Sequence, residues 1–275
     1  MDIYDTIKHF LIICLVFIPL ERILPLKPNQ AILRQGWSND LKHVFLTRLM
    51  VYGGALLLIS LSVAYLAELV PLRFRVGIAA QSIWLQYLEI LILADIGFYW
   101  VHRAFHEVPC LWRLHTIHHS IEELDFLAAH RVHPIDQIIT RSATLVPVFI
   151  LGYDLEAIAV FAFTYRWHSL LLHSNVKIEF GPLQWVFASP RFHHWHHAKH
   201  HQARNRNYAA QLSILDTIFG SIYLPKNTMP TLYGIDEAVP GSYLGQMIFP
   251  FRKIKSDKAS ESIESSHTRN FDTDL

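Results

Sequence analysis

The chain has 275 residues, 52% of them hydrophobic, with a mean hydropathy of +0.23 and a formal net charge of +1. That apolar content is high for a soluble protein and points to a membrane, while the near-neutral charge and the absence of nucleic-acid-binding fingerprints exclude nucleic acid as a partner. The two cysteines, Cys14 in an apolar run and Cys110 far along the chain, give no disulfide framework and fit a reducing compartment.

Residues 7–24, 44–70 and 83–101 each offer close to the roughly 20 apolar positions that cross a hydrocarbon core. The first could pass for a secretory signal. It is long, however, lacks a small-x-small cleavage site and runs into Glu21 and Arg22, so it is expected to remain as an anchor. The second contains Gly53 and Gly54, where a tilt or bend is predicted. Lys27, Arg34, Lys42 and Arg48 lie in or beside the connection between the first two spans, against Arg73 and Arg75 in the next and Lys8 at the N-terminus. The positive-inside rule therefore puts the first connection in the cytoplasm, and counting spans brings His102 to the same face.

Residues 138–172 are apolar again, but Gly152, Tyr153 and Asp154 divide them into pieces of roughly 14 and 18 residues, neither a full span by length. A hairpin turning at 152–154 would return the chain to the side it left. The organisation expected is a set of anchor helices over 1–101, a histidine-rich catalytic region over 102–225 that includes the membrane hairpin near 138–172, and a polar segment over 226–275. The end of that segment, from Arg252 onward, is rich in Ser, Lys and Glu and is expected to be disordered.

Fifteen of the 18 histidines lie between His102 and His201. They recur at short spacings: His102 with His106, His115 with His118 and His119, and His193 with His196 and His197. Side chains three and four apart share a helix face, so each box aims two or three imidazoles at one point. Unliganded, adjacent buried imidazoles would each need a separate partner. Together the boxes supply more nitrogen than one tetrahedral ion uses, which argues for two metals. Neutral imidazole suits iron, copper, nickel and zinc alike. A structural zinc site usually includes Cys, and the stretch from His106 to Cys110 does not complete the His-Glu-x-x-His of a zinc protease.

The stretch WVHRAFHEVPCLWRLHTIHHS, followed by AHRVHPID, HSN, SPRFHHWHH and LDTIFGSIYLP, resembles the fatty acid hydroxylase and sterol desaturase superfamily over residues 95–225. The resemblance implies an all-α integral-membrane helical bundle under a cytosolic histidine-rich helical cap. It implies two Fe ions, with zinc a possible occupant on isolation, and O2 as co-substrate in hydroxylating or desaturating a lipid. Carried over, the ligands are His102, His106, His115, His118, His119, His193, His196 and His197, joined by His173 of the His-Ser-Asn element. His133, which precedes Pro134 in the family's His-Pro element, is read as orienting a ligand rather than ligating, and His168, five residues before His173 where four would share a helix face, either packs or supports the site or serves as a further ligand. His130, His194, His200 and His201 are not required by the pattern.

Metal-bound imidazoles usually give their other N–H to a carboxylate or carbonyl. Asp95, Asp125, Asp136 and Asp216 are the candidate carboxylates. Asp95 stands two helical turns before His102, either supporting the site or bonding another helix. Asp216 matches a Trp-Asp element of the family, with Leu215 here in place of the tryptophan. Trp100, Trp112, Trp167, Trp185 and Trp195 flank the boxes as interface anchors, packing residues or pocket walls. The run 198–207, with Lys199, Arg204 and Arg206, reads as a solvated or headgroup-facing strip.

No flavin, nicotinamide or fused cytochrome b5 fingerprint is present, so electrons are expected from a separate donor, a cytochrome b5-like protein or a ferredoxin and its reductase. A bacterial inner membrane is favoured over the endoplasmic reticulum. Two alternatives stand beside this reading: a membrane metal transport or storage protein, which would carry ionisable ligands midway along several spans, and a zinc-dependent lipid hydrolase.

Overall fold

The computed structural model describes residues 3–226 and 228–252. The end expected to be disordered, from residue 253 on, lies outside them. Among the described residues there is no strand, only two isolated bridges, Pro25 with Val176 and Ala198 with Tyr233, and the fold is all-α. In chain order the helices are α1 (Ile3–Ile23), α2 (Trp37–Leu69), α3 (Leu72–Ala79), α4 (Ile83–Glu107), α5 (Pro109–His119), α6 (Pro134–Leu151), α7 (Leu155–His173) and α8 (Pro190–His196). Two short ones follow, α9 (Ile214–Ile218) and α10 (Tyr243–Ile248).

Three of these are long and apolar enough to cross a membrane: α2, α4 and α6. Leu49, Met50 and Leu57 on α2 and Trp84, Leu88 and Ile92 on α4 are exposed, an apolar belt suited to lipid. Residues 7–23 of the expected first span lie in α1, which carries Lys8, Glu21 and Arg22 and is not among these three helices. Its Glu21 carboxylate is buried and accepts the backbone N–H groups of Phe126 and Asn175 at 2.9 and 3.0 Å, which ties the end of α1 to the cap. The third of these long apolar helices is α6, the first arm of the hairpin. Its helix starts at Pro134, four residues before the apolar run, and so reaches 18 residues.

Gly53 and Gly54 do not interrupt α2. The irregularity lies earlier, in a π-helical turn at His43–Thr47, while Gly54 lets α6 approach: a Cβ there would stand 2.5 Å from Ile138 Cδ1. Gly97 does the same where α4 crosses α6, since a Cβ would stand 2.5 Å from the Ala143 carbonyl oxygen. The turn between α6 and α7 falls at 152–154, with Gly152 in the left-handed region (φ 82°) that closes a helix.

Local chemistry places the histidine-bearing helices. Ser82 caps α4 and Ser189 caps α8 by accepting backbone N–H groups at 3.4 and 3.2 Å. Pro109 stops α4 because it has no N–H and forces Val108 to be extended (φ −99°, ψ 115°), and it then serves as the first residue of α5. The chain thus folds back and lays the α5 histidines over the end of α4. A core of Ile90, Ala94, Tyr99, Phe192, Tyr208 and Leu212 joins α4 to the cap.

The connection before α2 lies at this same end. Arg34 Nη2 meets the carboxylates of Asp40 and Asp125 at 2.6 Å each, and Arg131 pairs with Asp40 as well.

Candidate metal centre

All nine histidines expected to ligate metal gather into two adjoining clusters. The first comprises His102, His106, His115, His119 and His196, the second His118, His173, His193 and His197, and within each the ligating atoms lie within 4.8 Å of one another. Helix geometry explains the division. His102 and His106 are one turn apart on α4, His115 and His119 one turn apart on α5, and His118 projects to the other side with His173 from the end of α7. The two clusters touch where the His119 and His197 rings stack at 4.6 Å between centroids.

The orientation of the rings is set from behind. His102 Nδ1 donates to the Tyr208 carbonyl at 2.7 Å, His196 Nδ1 to the Arg206 carbonyl at 2.8 Å, His173 Nδ1 to the Ser169 carbonyl at 2.8 Å and His118 Nδ1 to the Arg131 carbonyl at 3.2 Å. His115 Nδ1 donates to the Asp136 carboxylate at 2.7 Å. With the proton held on Nδ1, each of these rings turns an Nε2 lone pair inward.

Those lone pairs face one another. His102 and His115 Nε2 are 3.1 Å apart, His118 and His173 3.3 Å, His173 and His193 2.9 Å, and His193 and His197 3.1 Å. The Nε2 atoms of His106, His119 and His196 are buried with no partner. Each such orphan costs about 1–3 kcal/mol. Nitrogen ligands about 2.0–2.1 Å from one ion, at tetrahedral to right angles, sit roughly 2.9–3.4 Å from each other, so the donors fit a metal in each cluster.

Burial first, then the neighbouring imidazoles, holds His115, His118, His119, His193 and His197 well below the usual histidine range, and burial pushes His173 and His196 down to about 4. All seven are neutral at physiological pH, as ligation requires.

The remaining candidates act at a distance or elsewhere. Asp95 touches no histidine, and in place of a side chain on a neighbouring helix it accepts the backbone N–H groups of Ala210, Gln211 and Leu212 at 3.0, 3.0 and 2.6 Å. Asp216 accepts those of Tyr208 and Ala209 at 2.7 and 2.8 Å. The two carboxylates fix the loop whose Tyr208 carbonyl orients His102. His133 joins neither cluster. Its Nδ1 accepts the Ile135 N–H at 3.2 Å and caps α6, the helix that carries Asp136. Asp125 serves Arg34 and the Ala128 N–H. His168 donates to the Ala188 carbonyl and His194 bonds Tyr233 and Ser174, so both stay outside the clusters.

Of the tryptophans, Trp112 packs against His106 and His119 at 5.3 and 5.5 Å, whereas Trp195 is buried against Tyr223. Sequence reasoning missed Tyr208 and the 205–207 turn. Asn205 and Asn207 adopt positive φ (55° and 61°), which asparagine tolerates, and so present the Arg206 carbonyl to His196. The pair of asparagines in the strip read as solvated was the available signal.

A cavity of about 150 Å³ reaches both clusters, with His102, His115, His118, His173 and His193 in its wall beside Phe98 and Tyr165. A sequence profile described as fatty acid hydroxylase matches residues 87–221. The ornithine lipid hydroxylase OlsE of Rhizobium tropici is 30% identical over 236 residues, covering 85% of this chain and 71% of that protein. The chain belongs to the fatty acid hydroxylase family. Another relative of this fatty acid hydroxylase family member is the alkylglycerol monooxygenase of Homo sapiens, 32% identical over 147 residues, 51% of the chain and 31% of that protein. A putative methylsterol monooxygenase of Dictyostelium discoideum is 25% identical over 224 residues, 78% of the chain and 77% of its own length. The chain thus spans about a third of the alkylglycerol monooxygenase it matches. No solved structure matches it.

Proposed function

We propose that this fatty acid hydroxylase family member is a di-iron, O2-dependent oxidoreductase that hydroxylates or desaturates a membrane lipid, with the nine clustered histidines as ligands. The observation that carries the reading is the inward-facing set of Nε2 lone pairs, five in one cluster and four in the other. Five nitrogen donors exceed what a closed tetrahedral zinc site uses and suit an ion of higher coordination number. Iron bound there supplies the activation of dioxygen and the oxidising power for a C–H bond.

The chain's own residues do the rest. Asp136 and the carbonyls of Ser169, Arg131, Arg206 and Tyr208 hold five of the nine imidazoles in the ligating tautomer. The 150 Å³ cavity presents the carbon to both clusters, and Phe98, Leu172 and Tyr165 in its wall limit water. The electron donor is a separate protein, cytochrome b5-like or a ferredoxin with its reductase.

The clusters face the cytoplasm in this reading. Lys27 lies in the connection before α2 and Lys42 in the first turns of α2, and the Arg34–Asp125 pair joins that connection to the histidine-bearing cap. The bacterial relative favours a bacterial inner membrane. Metal transport fits less well, because the ligands gather at one end of the bundle.

Anaerobic reconstitution of the full chain in lipid nanodiscs tests the chemistry. Ferrous iron plus a reductant is expected to give oxidised lipid only when oxygen is admitted. Turnover by a zinc-loaded protein without oxygen would instead establish a hydrolase.

A further inference from the structure

A second cavity, of about 310 Å³, adjoins the first. The two share Ala129, Gln137, Thr140, Arg141, Tyr165 and Ser169 in their walls. Its distinguishing feature is charge. Arg48 from α2, Arg141 from α6 and Arg166 from α7 all line it, and among the described residues no carboxylate does. The three guanidiniums are close enough to act on one another electrostatically, and the side chains of Arg141 and Arg166 have no carboxylate or hydrogen-bond partner among the described residues.

Arg48 and Arg141 sit on helices apolar and long enough to span the membrane, where an ionisable side chain is costly and marks a ligand path. Arg141 and Arg166, two half-buried cations with no carboxylate partner among the described residues, repel one another unless an anion joins them. The π-helical turn at His43–Thr47 stands in the same wall, and such turns recur at functional sites. His130 lines the cavity too, with an unpartnered, buried Nε2. The remaining wall mixes the apolar Val44, Leu145, Phe161 and Leu170 with the neutral polar Thr47, Gln137, Thr140, Thr144 and Ser169.

We infer that this cavity holds the anionic headgroup of the lipid substrate, a phosphate or carboxylate gripped by Arg141 and Arg166 with Arg48. The reacting carbon is then presented across the shared wall at the histidines. The inference rests on the lipid-oxidising reading of the histidine clusters and narrows the substrate to an acidic or zwitterionic amphiphile. Guanidinium forks recognise both oxyanions by paired charge-assisted hydrogen bonds.

Binding, not turnover, is the test, so that it stands apart from the oxygenase reading. The purified full-length protein in detergent is offered two matched pairs: dioleoyl phosphatidic acid with diolein, and oleate with oleyl alcohol. Retention is read by native mass spectrometry, with metal content measured alongside. The anionic member of at least one pair is expected to be retained about tenfold better. Arg141→Gln and Arg166→Gln should each abolish that preference without changing metal content or retention of the neutral lipid. Arg166→Lys, which keeps the charge, should restore most of the preference and so separates lost recognition from misfolding. Equal retention of both members in both pairs, or a preference untouched in the two glutamine variants, overturns the inference. Inorganic phosphate binding as tightly as phosphatidic acid would make the occupant a free anion and overturn the lipid assignment. A persistent preference in a protein that fails to oxidise lipid would leave this site standing and remove only the oxygenase reading.

Discussion

His118 and His119 are adjacent in sequence yet belong to different clusters, because neighbouring positions on a helix diverge by about 100°. Single substitutions therefore separate the two sites. His196→Ala is expected to empty the first cluster and spare the second, and His118→Ala the reverse, with iron per chain measured by plasma mass spectrometry. Retention of both ions in either variant would break the ligand assignment. Asp136→Asn keeps the shape but weakens the acceptor behind His115, and should lower metal affinity in the first cluster by roughly 10–100-fold. Acidity acts on the same residues. His173 and His196 titrate near 4 in the folded chain against an ordinary 6.5, so between those limits the unfolded state binds more protons and stability falls as pH drops. The metal-free protein is expected to melt at progressively lower temperature from pH 6.5 to pH 4 in detergent; a flat profile would mean these rings are hydrated.

At the scale of elements, the histidine boxes were legible because ligation imposes a helical spacing on one residue type. Their supports were only partly so. Asp136 stood out as a carboxylate, but the Tyr208, Arg131, Arg206 and Ser169 acceptors are backbone carbonyls, which any residue supplies. Asp95 lies on the side of α4 that meets the 210–212 loop, and nothing in its spacing from His102 distinguishes a ligand's partner from a clamp on that loop. The helix α1 reads as an apolar stretch, and composition gives no sign that its buried Glu21 holds two backbone N–H groups of the cap. The π turn left no mark that hydropathy could register. Close helix approach gives a further test. Gly97→Ala must displace the Ala143 backbone and should cost about 1–3 kcal/mol, whereas Gly53→Ala meets open space and should be neutral. Thermal inactivation of the two variants in the same detergent distinguishes them, and equal half-lives would show that α4 and α6 do not cross so tightly.

Across the whole molecule, the all-α architecture under a histidine-rich cap followed from the family resemblance together with hydropathy, while the cavities did not, since they depend on which side-chain faces meet. The arrangement also constrains how the protein matures. The first cluster draws four ligands from residues 102–119 and its fifth from His196, and the second joins His118 to His173, His193 and His197. Neither set is complete until α6 and α7 have emerged and turned back at Gly152. Metal capture by either full set is therefore a late event: a nascent polypeptide has no finished binding place until synthesis has passed His197 and the hairpin has closed, so a metal has to reach a chain most of whose helices already exist.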